Sequence, residues 1–580
     1  MSTNVIDTKF RFYSGILNDT FSTMHLRFMV YFNFKIIFMI QQEIFDIELT
    51  SISMKKLISS LVIITSFTLF IGCNNNVETQ KTPNILFAIA DDASWKHFGA
   101  YGCDWVKTPA FDRVASDGIL FTRAYTPNAK CAPSRSCILT GRNSWQLEEA
   151  ANHSPLFPEK FKTYAEALGE NGYWVGSVAK GWAPGDPGSI NGIKRQLTGP
   201  KFDEHKTTPP AKYISNNDYA KNFEAFLEAR PKGQPFCFWY GSTEPHRAYE
   251  FGAGTKYGFK TKDEIDEVPP FWPDVDTIRT DMLDYAFEIE YFDKHLQLML
   301  QKLEEIGELE NTLVIVTADN GMPFPRIKGQ VYEYSNHLPL AIMWPNGIKN
   351  PGRVVNDFVN FIDFTPTYLE VAGLKAKEIG MQAITGTSLT EIFNSENEGI
   401  VIPERDFVLV GKERHDVGRP DDQGYPVRGI INKGFLYIRN FKPERWPKGN
   451  PETGYLNCDG SPTKTYVLDT RRNKGVMEYW QLNFGKRPSE ELYNIEEDPF
   501  CMNNLAEDVA FTELKNTLEK NMIEKLTQQG DPRIIGNGDI FDNYTYKGAV
   551  QNYYNRFTSG EKVPAGWVNE TDYDSDLMEE

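Results

Sequence analysis

Cys131-Ala132-Pro133-Ser134-Arg135-Ser136-Cys137-Ile138-Leu139-Thr140-Gly141-Arg142 sets a thiol two residues ahead of a proline and four ahead of an arginine. Pro133 suits the first helical turn, where its missing N–H costs nothing, and Gly141 suits a left-handed exit. The pattern predicts a helix with Cys131 at its N-terminus, where backbone N–H groups and the macrodipole favour an anion. Arg135 then lies one turn on, on the same face. The plain alternative is a buried cysteine before an ordinary helix, since free cysteines are commonly buried.

Four apolar runs surround this helix in sequence. Asn84 to Ala90 ends in Asp91-Asp92, and Thr312 to Thr317 leads through Ala318 to Asp319-Asn320-Gly321. Phe236 to Tyr240 runs into Gly241 and then Pro245-His246-Arg247, and Trp174 to Val178 leads to Lys180. Short continuous apolar runs between helical patterns read as buried parallel strands, and ligands bind beyond the carboxyl ends of such strands. Helical spacing is seen in Pro109 to Ser116, Thr163 to Glu170, Asp218 to Ala229, Arg279 to Ile306 and the stretch from Asp363 to about Gly373. Asp281, Asp284, Glu288 and Glu290 of the longest read as a solvated face. The fold class is therefore α/β, a large, mixed, mostly parallel sheet flanked by helices.

Residues 84–375 form the expected catalytic domain and 376–400 a linker. A smaller α+β subdomain follows over 401–545, with strand-like runs Phe407 to Val410, Phe435 to Arg439 and Thr465 to Leu468 and a late helix near Leu514 to Leu526. Residues 546–580 read as a surface strap. With 580 residues and 41% hydrophobic content a large core is affordable, while a net charge of −18 argues against nucleic acid as a partner. Seven cysteines without short paired spacing suggest neither a zinc site nor a disulfide framework. Met54-Lys55-Lys56 and the apolar run Leu57 to Ile71 before Gly72-Cys73 have the layout of a signal peptide, too short to span a membrane comfortably. A lipoprotein signal over 54–72 is expected, with a lipidated Cys73 opening a tether over 73–83 and export to a bacterial periplasm or outer membrane. Residues 1–53 read as a mis-called upstream segment.

Asp91, Asp92, Asp319 and Asn320 make a hard-oxygen cluster that selects Ca²⁺ or Mg²⁺ over zinc. The order C-x-P-S-R-x-x-x-L-T-G-R over 131–142 resembles the signature of type I sulfatases, of the alkaline phosphatase superfamily. The resemblance implies that Cys131 is converted by a maturase to formylglycine and that one divalent cation, usually calcium, is held with it by the four oxygen-bearing positions. Gly172 to Lys180 resembles the second family signature, with Ala179 for its last glycine, and Pro245-His246 and Lys328 match the sulfate-contacting histidine and the late lysine. With Arg135, Lys180, His246 and Lys328 are then cations aimed at the charge that develops on a sulfonyl group. An aldehyde hydrate would offer one hydroxyl to attack sulfur and a second to expel sulfate. The chain departs from the family at Trp182, where a histidine is usual. Either Lys180 and His246 cover its role or His153 reaches in, and Trp182 is expected to stack on a sugar face.

Within the family, the middle of the chain is most similar to the heparan N-sulfatases, through Pro245-His246-Arg247, Val268 to Pro273 with Arg279-Thr280-Asp281, and Asp319 to Pro325. That implies N-sulfoglucosamine units of heparin or heparan sulfate as substrate, with Arg247 in contact with it. Glu413-Arg414-His415 and Tyr425 to Arg428 are candidates for the subdomain's share of the sugar subsite, although His415 could equally be an ordinary loop histidine. The other readings are an O-sulfatase on another sulfated sugar, a phosphate or phosphonate ester hydrolase of the same superfamily, and a non-catalytic glycan-binding lipoprotein.

Overall fold

A computed structural model describes residues 82–574. Residues 1–53, the signal reading over 54–72 and Cys73 lie outside the described residues. Seven strands form the main sheet in the spatial order Arg353–Val355, Ile119–Phe121, Leu340–Met343, Thr312–Ala318, Asn84–Ala90, Phe236–Gly241 and Trp174–Ala179. The last four are mutually parallel, with Ile85 beside both Leu313 and Cys237, and Ala179 beside Gly241. Leu340–Met343 runs antiparallel to both its neighbours, which makes the sheet mixed.

These strands are apolar throughout because both faces are covered. Leu86, Ala88, Val314, Val316, Phe238 and Tyr240 face a core shared with Ile289, Phe292 and Leu296 of the helix Asp276–Glu305. Ile85, Phe87, Ile315 and Trp239 point the other way, onto Ile138 and Leu139 of the helix Cys131–Thr140 and Tyr368 of the helix Phe364–Val371. The parallel strands therefore end together. Asp91-Asp92, Asp319-Asn320, Lys180 and the 242–247 loop follow the carboxyl ends of these strands on one side of the sheet, where the N-terminus of the Cys131–Thr140 helix arrives.

The second sheet is a four-stranded antiparallel meander, Phe407–Lys412, Val427–Asn432, Phe435–Asn440 and Glu490–Asn494. One face packs on Leu518, Met522 and Leu526 of the helix Thr512–Gln528. The other packs on Tyr125, Val331, Tyr332 and Phe358 of the preceding part of the chain.

Three expectations need correction. Thr465 to Leu468 is not a strand but the middle of the helix Pro462–Lys474, whose start is capped by the Ser461 side chain and whose end is Gly475 at positive φ. Asp281, Asp284 and Glu288 are not solvated but buried, and only Glu290 of that group is partly exposed. The stretch read as a linker is partly packed, since Leu389, Ile392 and Phe393 are buried in the main core around the short helix Thr390–Asn394. The final stretch buries Tyr546, Val550, Tyr553 and Val563 against Val417 and Leu456.

Candidate active site

The helix Cys131–Thr140 begins as its sequence requires. Lys130 is extended, Cys131 is the first helical residue, and Gly141 closes the helix at φ 68°, its N–H donating to the Cys137 carbonyl at 2.9 Å. The Cys131 thiol is buried and lies 3.8 Å from Asp92 Oδ1. Burial pushes its pKa up, although Lys180 opposes the shift. A buried, protonated thiol is a poor nucleophile, so an unmodified Cys131 would not attack readily.

Asp91, Asp92 and Asp319 each offer a carboxylate oxygen, all within 4.8 Å of one another. Asp92 holds a left-handed backbone at φ 75°, and its N–H donates to Asp319 Oδ1 at 3.0 Å. Strain of this kind persists only where surrounding contacts fix it. Asn320 Nδ2 donates to Asp92 Oδ1 at 2.7 Å, while its own Oδ1 is buried without a partner. An orphaned carbonyl-type oxygen beside three buried carboxylates fits a hard divalent cation, which would satisfy the first and neutralise the others.

Cations close the cage. Arg135 Nε donates to Asp319 Oδ2 at 2.8 Å, Nη2 approaches Asp91 Oδ1 at 3.2 Å, and Nη1 donates to the carbonyls of Lys180 and Gly181. Lys180 Nζ pairs with Asp91 Oδ2 at 2.5 Å. Its backbone is set by contact with Gly241, where a Cβ would lie 1.8 Å from the Lys180 carbonyl oxygen. Lys328 Nζ bridges Asp92 Oδ2 at 2.6 Å and Asp459 Oδ2 at 2.8 Å. Burial pushes the Asp91 carboxyl up to about 8 against the opposing pull of Lys180, with Asp319 and Asp92 adding to the rise. Burial would also raise Asp319, but Arg135 and Lys180 outweigh it and hold that carboxyl well below its usual range.

His246 is the most open of these groups, its side chain 32% exposed, with Nε2 3.8 Å from Asp92 Oδ2. Its Nδ1 lies 2.6 Å from the Arg247 carbonyl, so Nδ1 carries the proton and Nε2 faces the site. Burial, then Lys328, lowers its pKa to about 4. A bound sulfate anion would counter both lysines and restore proton affinity at Nε2.

Other expected residues sit elsewhere. Arg247 is not a free cation, because Nη1 and Nη2 pair with Asp281 at 2.7 and 2.8 Å and Nε donates to the Pro323 carbonyl. Trp182 is packed inward, not laid open for a sugar: its indole N–H donates to Ser136 Oγ at 2.8 Å and its ring meets Phe157 edge-on. His153 does not join the cage but binds Asp416 Oδ1 at 2.7 Å, beside the Lys130–Asp416 pair. His415 is wholly buried with Nε2 2.7 Å from Asn128 Oδ1, which favours the loop-histidine reading. Glu413 and Arg428 pair with each other at 2.8 Å, in a buried network with Asp531 and Arg533. Asp459 escaped sequence reasoning, as did two lysines that fix the Lys328 loop. Lys448 Nζ donates to the Lys328 carbonyl at 2.6 Å and Lys412 Nζ to that of Gly329 at 2.7 Å.

The Sulfatase family model matches residues 83–374, and the chain belongs to that family. It is similar to an ulvan-active sulfatase of Formosa agariphila, at 29% identity over 78% of this chain and 81% of that one. It is also similar to human N-sulphoglucosamine sulphohydrolase, at 26% identity over 79% and 93%. Among solved structures, a protein in complex with its substrate D-glucosamine-2-N,6-O-disulfate shares the fold at TM-score 0.55 and 20% identity, over 78% of this chain and 99% of that one.

Proposed function

We propose that this chain releases sulfate from sulfated glycans, acting on N-sulfated glucosamine at the non-reducing end of heparin or heparan sulfate fragments. The observation that carries the reading is the position of Cys131, at a helix mouth 3.8 Å from Asp92 within a ring of carboxylates and cations. The similarity to N-sulphoglucosamine sulphohydrolase supports the choice of sugar.

Asp91, Asp92, Asp319 and Asn320 would hold Ca²⁺, which when bound supplies charge neutralisation and polarises sulfate oxygens. Cys131, converted by a maturase to formylglycine, would supply the hydroxyl nucleophile that a buried thiol cannot. Lys180, Lys328 and Arg135 are fixed before substrate arrives, so their charge meets the developing negative charge without reorganisation. His246 Nε2 would hold the proton that the departing amine needs, since an amide anion cannot leave. Asp459 would keep Lys328 charged and aimed.

Sulfate release from N-sulfated glucosamine, compared with 6-O-, 3-O- and 2-O-sulfated sugars, tests the assignment. Release from the N-sulfated sugar is expected, and release from an O-sulfated sugar alone would overturn it. The higher identity to the ulvan-active sulfatase favours that second reading, a sulfate ester of another sugar. The proposal includes export and lipid anchoring at Cys73, supported by the Met54-to-Cys73 sequence. Fatty-acid labelling with N-terminal sequencing tests this, and a cytoplasmic product starting at Met1 would refute it.

A further inference from the structure

Asp459 stands beside His246, the group placed to hold the departing proton. Asp92, His246 and Asp459 each offer one atom within 4.8 Å of the others, and a His246 ring nitrogen also lies within 4.8 Å of Cys131 Sγ. Lys328 occupies Asp459 Oδ2 at 2.8 Å, whereas Oδ1 takes no hydrogen bond among the described residues. Burial would raise this carboxyl, but Lys328 and Lys130 outweigh it and hold it well below its usual range. The side chain is therefore an anion with an acceptor to spare, on the leaving-group side of the nucleophile.

His246 and Asp459 are held from behind by the same buried carboxylate. Arg247, next to His246, places Nη1 and Nη2 on Asp281 at 2.7 and 2.8 Å. Thr463 Oγ1, four residues past Asp459, donates to Asp281 Oδ2 at 2.6 Å. Between them the Gly460 N–H donates to the Trp567 carbonyl at 2.7 Å, and Ser461 caps the helix Pro462–Lys474. The spacing of His246 and Asp459 is thus set before any ligand arrives.

That spacing suits one kind of leaving atom. A sulfamate nitrogen carries one hydrogen and one lone pair, whereas the bridging oxygen of a sulfate ester carries lone pairs only. Two hydrogen bonds of about 2.9 Å diverging tetrahedrally from one atom put their far ends about 4.7 Å apart. We infer that Asp459 Oδ1 accepts the N–H of the scissile sulfamate while His246 Nε2 donates to its lone pair, and that this carboxylate makes the enzyme prefer an N-sulfate to a sulfate ester. When the S–N bond breaks, its electron pair stays on nitrogen and takes the His246 proton, and the product amine keeps its original hydrogen on Asp459. An ester oxygen in the same place would face the carboxylate lone pair to lone pair. The inference rests on the N-sulfated glucosamine reading and names the residue that would enforce it.

Asp459→Asn tests it, because Lys328 still demands an oxygen. The variant's Oδ1 turns to Lys328 and its NH2 group faces the substrate, a donor in place of an acceptor. With the full formylglycine-bearing enzyme, kcat/KM is compared on N-sulfated glucosamine and on glucose 2-O-sulfate, which differ only in the bridging atom. Loss of the Lys328 anchor lowers both, and the sulfamate should lose about tenfold more than the ester, the size of one hydrogen bond to a charged group. Glucosamine, the amine product, should inhibit wild-type enzyme more strongly than glucose, and the difference should vanish in Asp459→Asn. Both readouts compare two ligands on one variant, so a folding defect, which lowers both alike, cannot imitate the result. If ester turnover is too slow to measure, the inhibition pair decides. Equal losses on the two substrates, or a glucosamine preference that survives the substitution, would overturn the inference and leave the N-sulfatase reading standing. Wild-type enzyme that cleaves the 2-O-sulfate and not the sulfamate would refute that reading and the inference with it, so the two failures are told apart.

Discussion

Lys328 and Asp459 lie 131 residues apart in sequence yet share a buried ion pair of 2.8 Å. Removing Asp459 would leave the buried Lys328 ammonium with Asp92, at 2.6 Å, as its remaining carboxylate partner, a smaller loss than the about 3–5 kcal/mol of stripping a buried charge of its sole partner. Asp459→Asn is therefore expected to lower kcat roughly 10- to 100-fold with a smaller effect on KM, because Lys328 loses its second anchor. Steady-state kinetics on a soluble sulfate ester checks this, and an unchanged kcat would remove Asp459 from the account. That Cys131, Arg135, Asp91, Asp92, Asp319 and Asn320 come together was legible because they sit in short ordered stretches at strand and helix ends. Asp459 was not, because a loop between irregular segments carries no periodic signal. Asp281, Asp284 and Glu288 were misread as solvated although their i, i+3, i+7 spacing is that of one helix face. That face turns inward because Arg247 and the Gly252 and Gly254 N–H groups meet it there.

The strand Phe236–Gly241 delivers the 242–247 loop and also braces Lys180. A methyl group at Gly241 would drive into the Lys180 carbonyl, which itself receives the Arg135 and Trp239 N–H groups. Gly241→Ala is expected to lower stability by about 1–3 kcal/mol, as overpacking does, and to lower kcat more than a remote change of equal cost. Thermal melts beside kinetics separate the two effects, and full activity at reduced Tm would show that the contact does not shape the site. The parallel strands could be read from sequence because burial on both faces leaves unbroken apolar runs. The helix Pro462–Lys474 could not be read from its apolar run Tyr466-Val467-Leu468, which is too short to distinguish helix from strand. Its Ser461-Pro462 start and Gly475 stop were the better signal.

At the scale of the whole molecule, the second sheet and its trailing segment hold the site from behind through Lys412, Lys448 and Asp416. This part of the chain was expected to touch the sugar, but its Glu413, His415 and Arg428 are buried in internal pairs. Long-range ion pairs of this kind leave no local pattern to read. A cation held by the three-carboxylate cage would tie stability to its presence, since ligand binding to the folded state alone adds about 2.7 kcal/mol at a hundredfold excess over Kd. Chelation is expected to lower Tm and abolish turnover together, with calcium restoring both, and a Tm indifferent to chelator would contradict the metal assignment. The central claim is that Cys131 is the precursor of the nucleophile. Mass spectrometry of the peptide containing Cys131, taken from enzyme of known specific activity, tests it most directly. The account predicts an aldehyde in place of the thiol, in proportion to activity, and no turnover in Cys131→Ala of unchanged Tm. Fully active enzyme carrying only the unmodified thiol would contradict it.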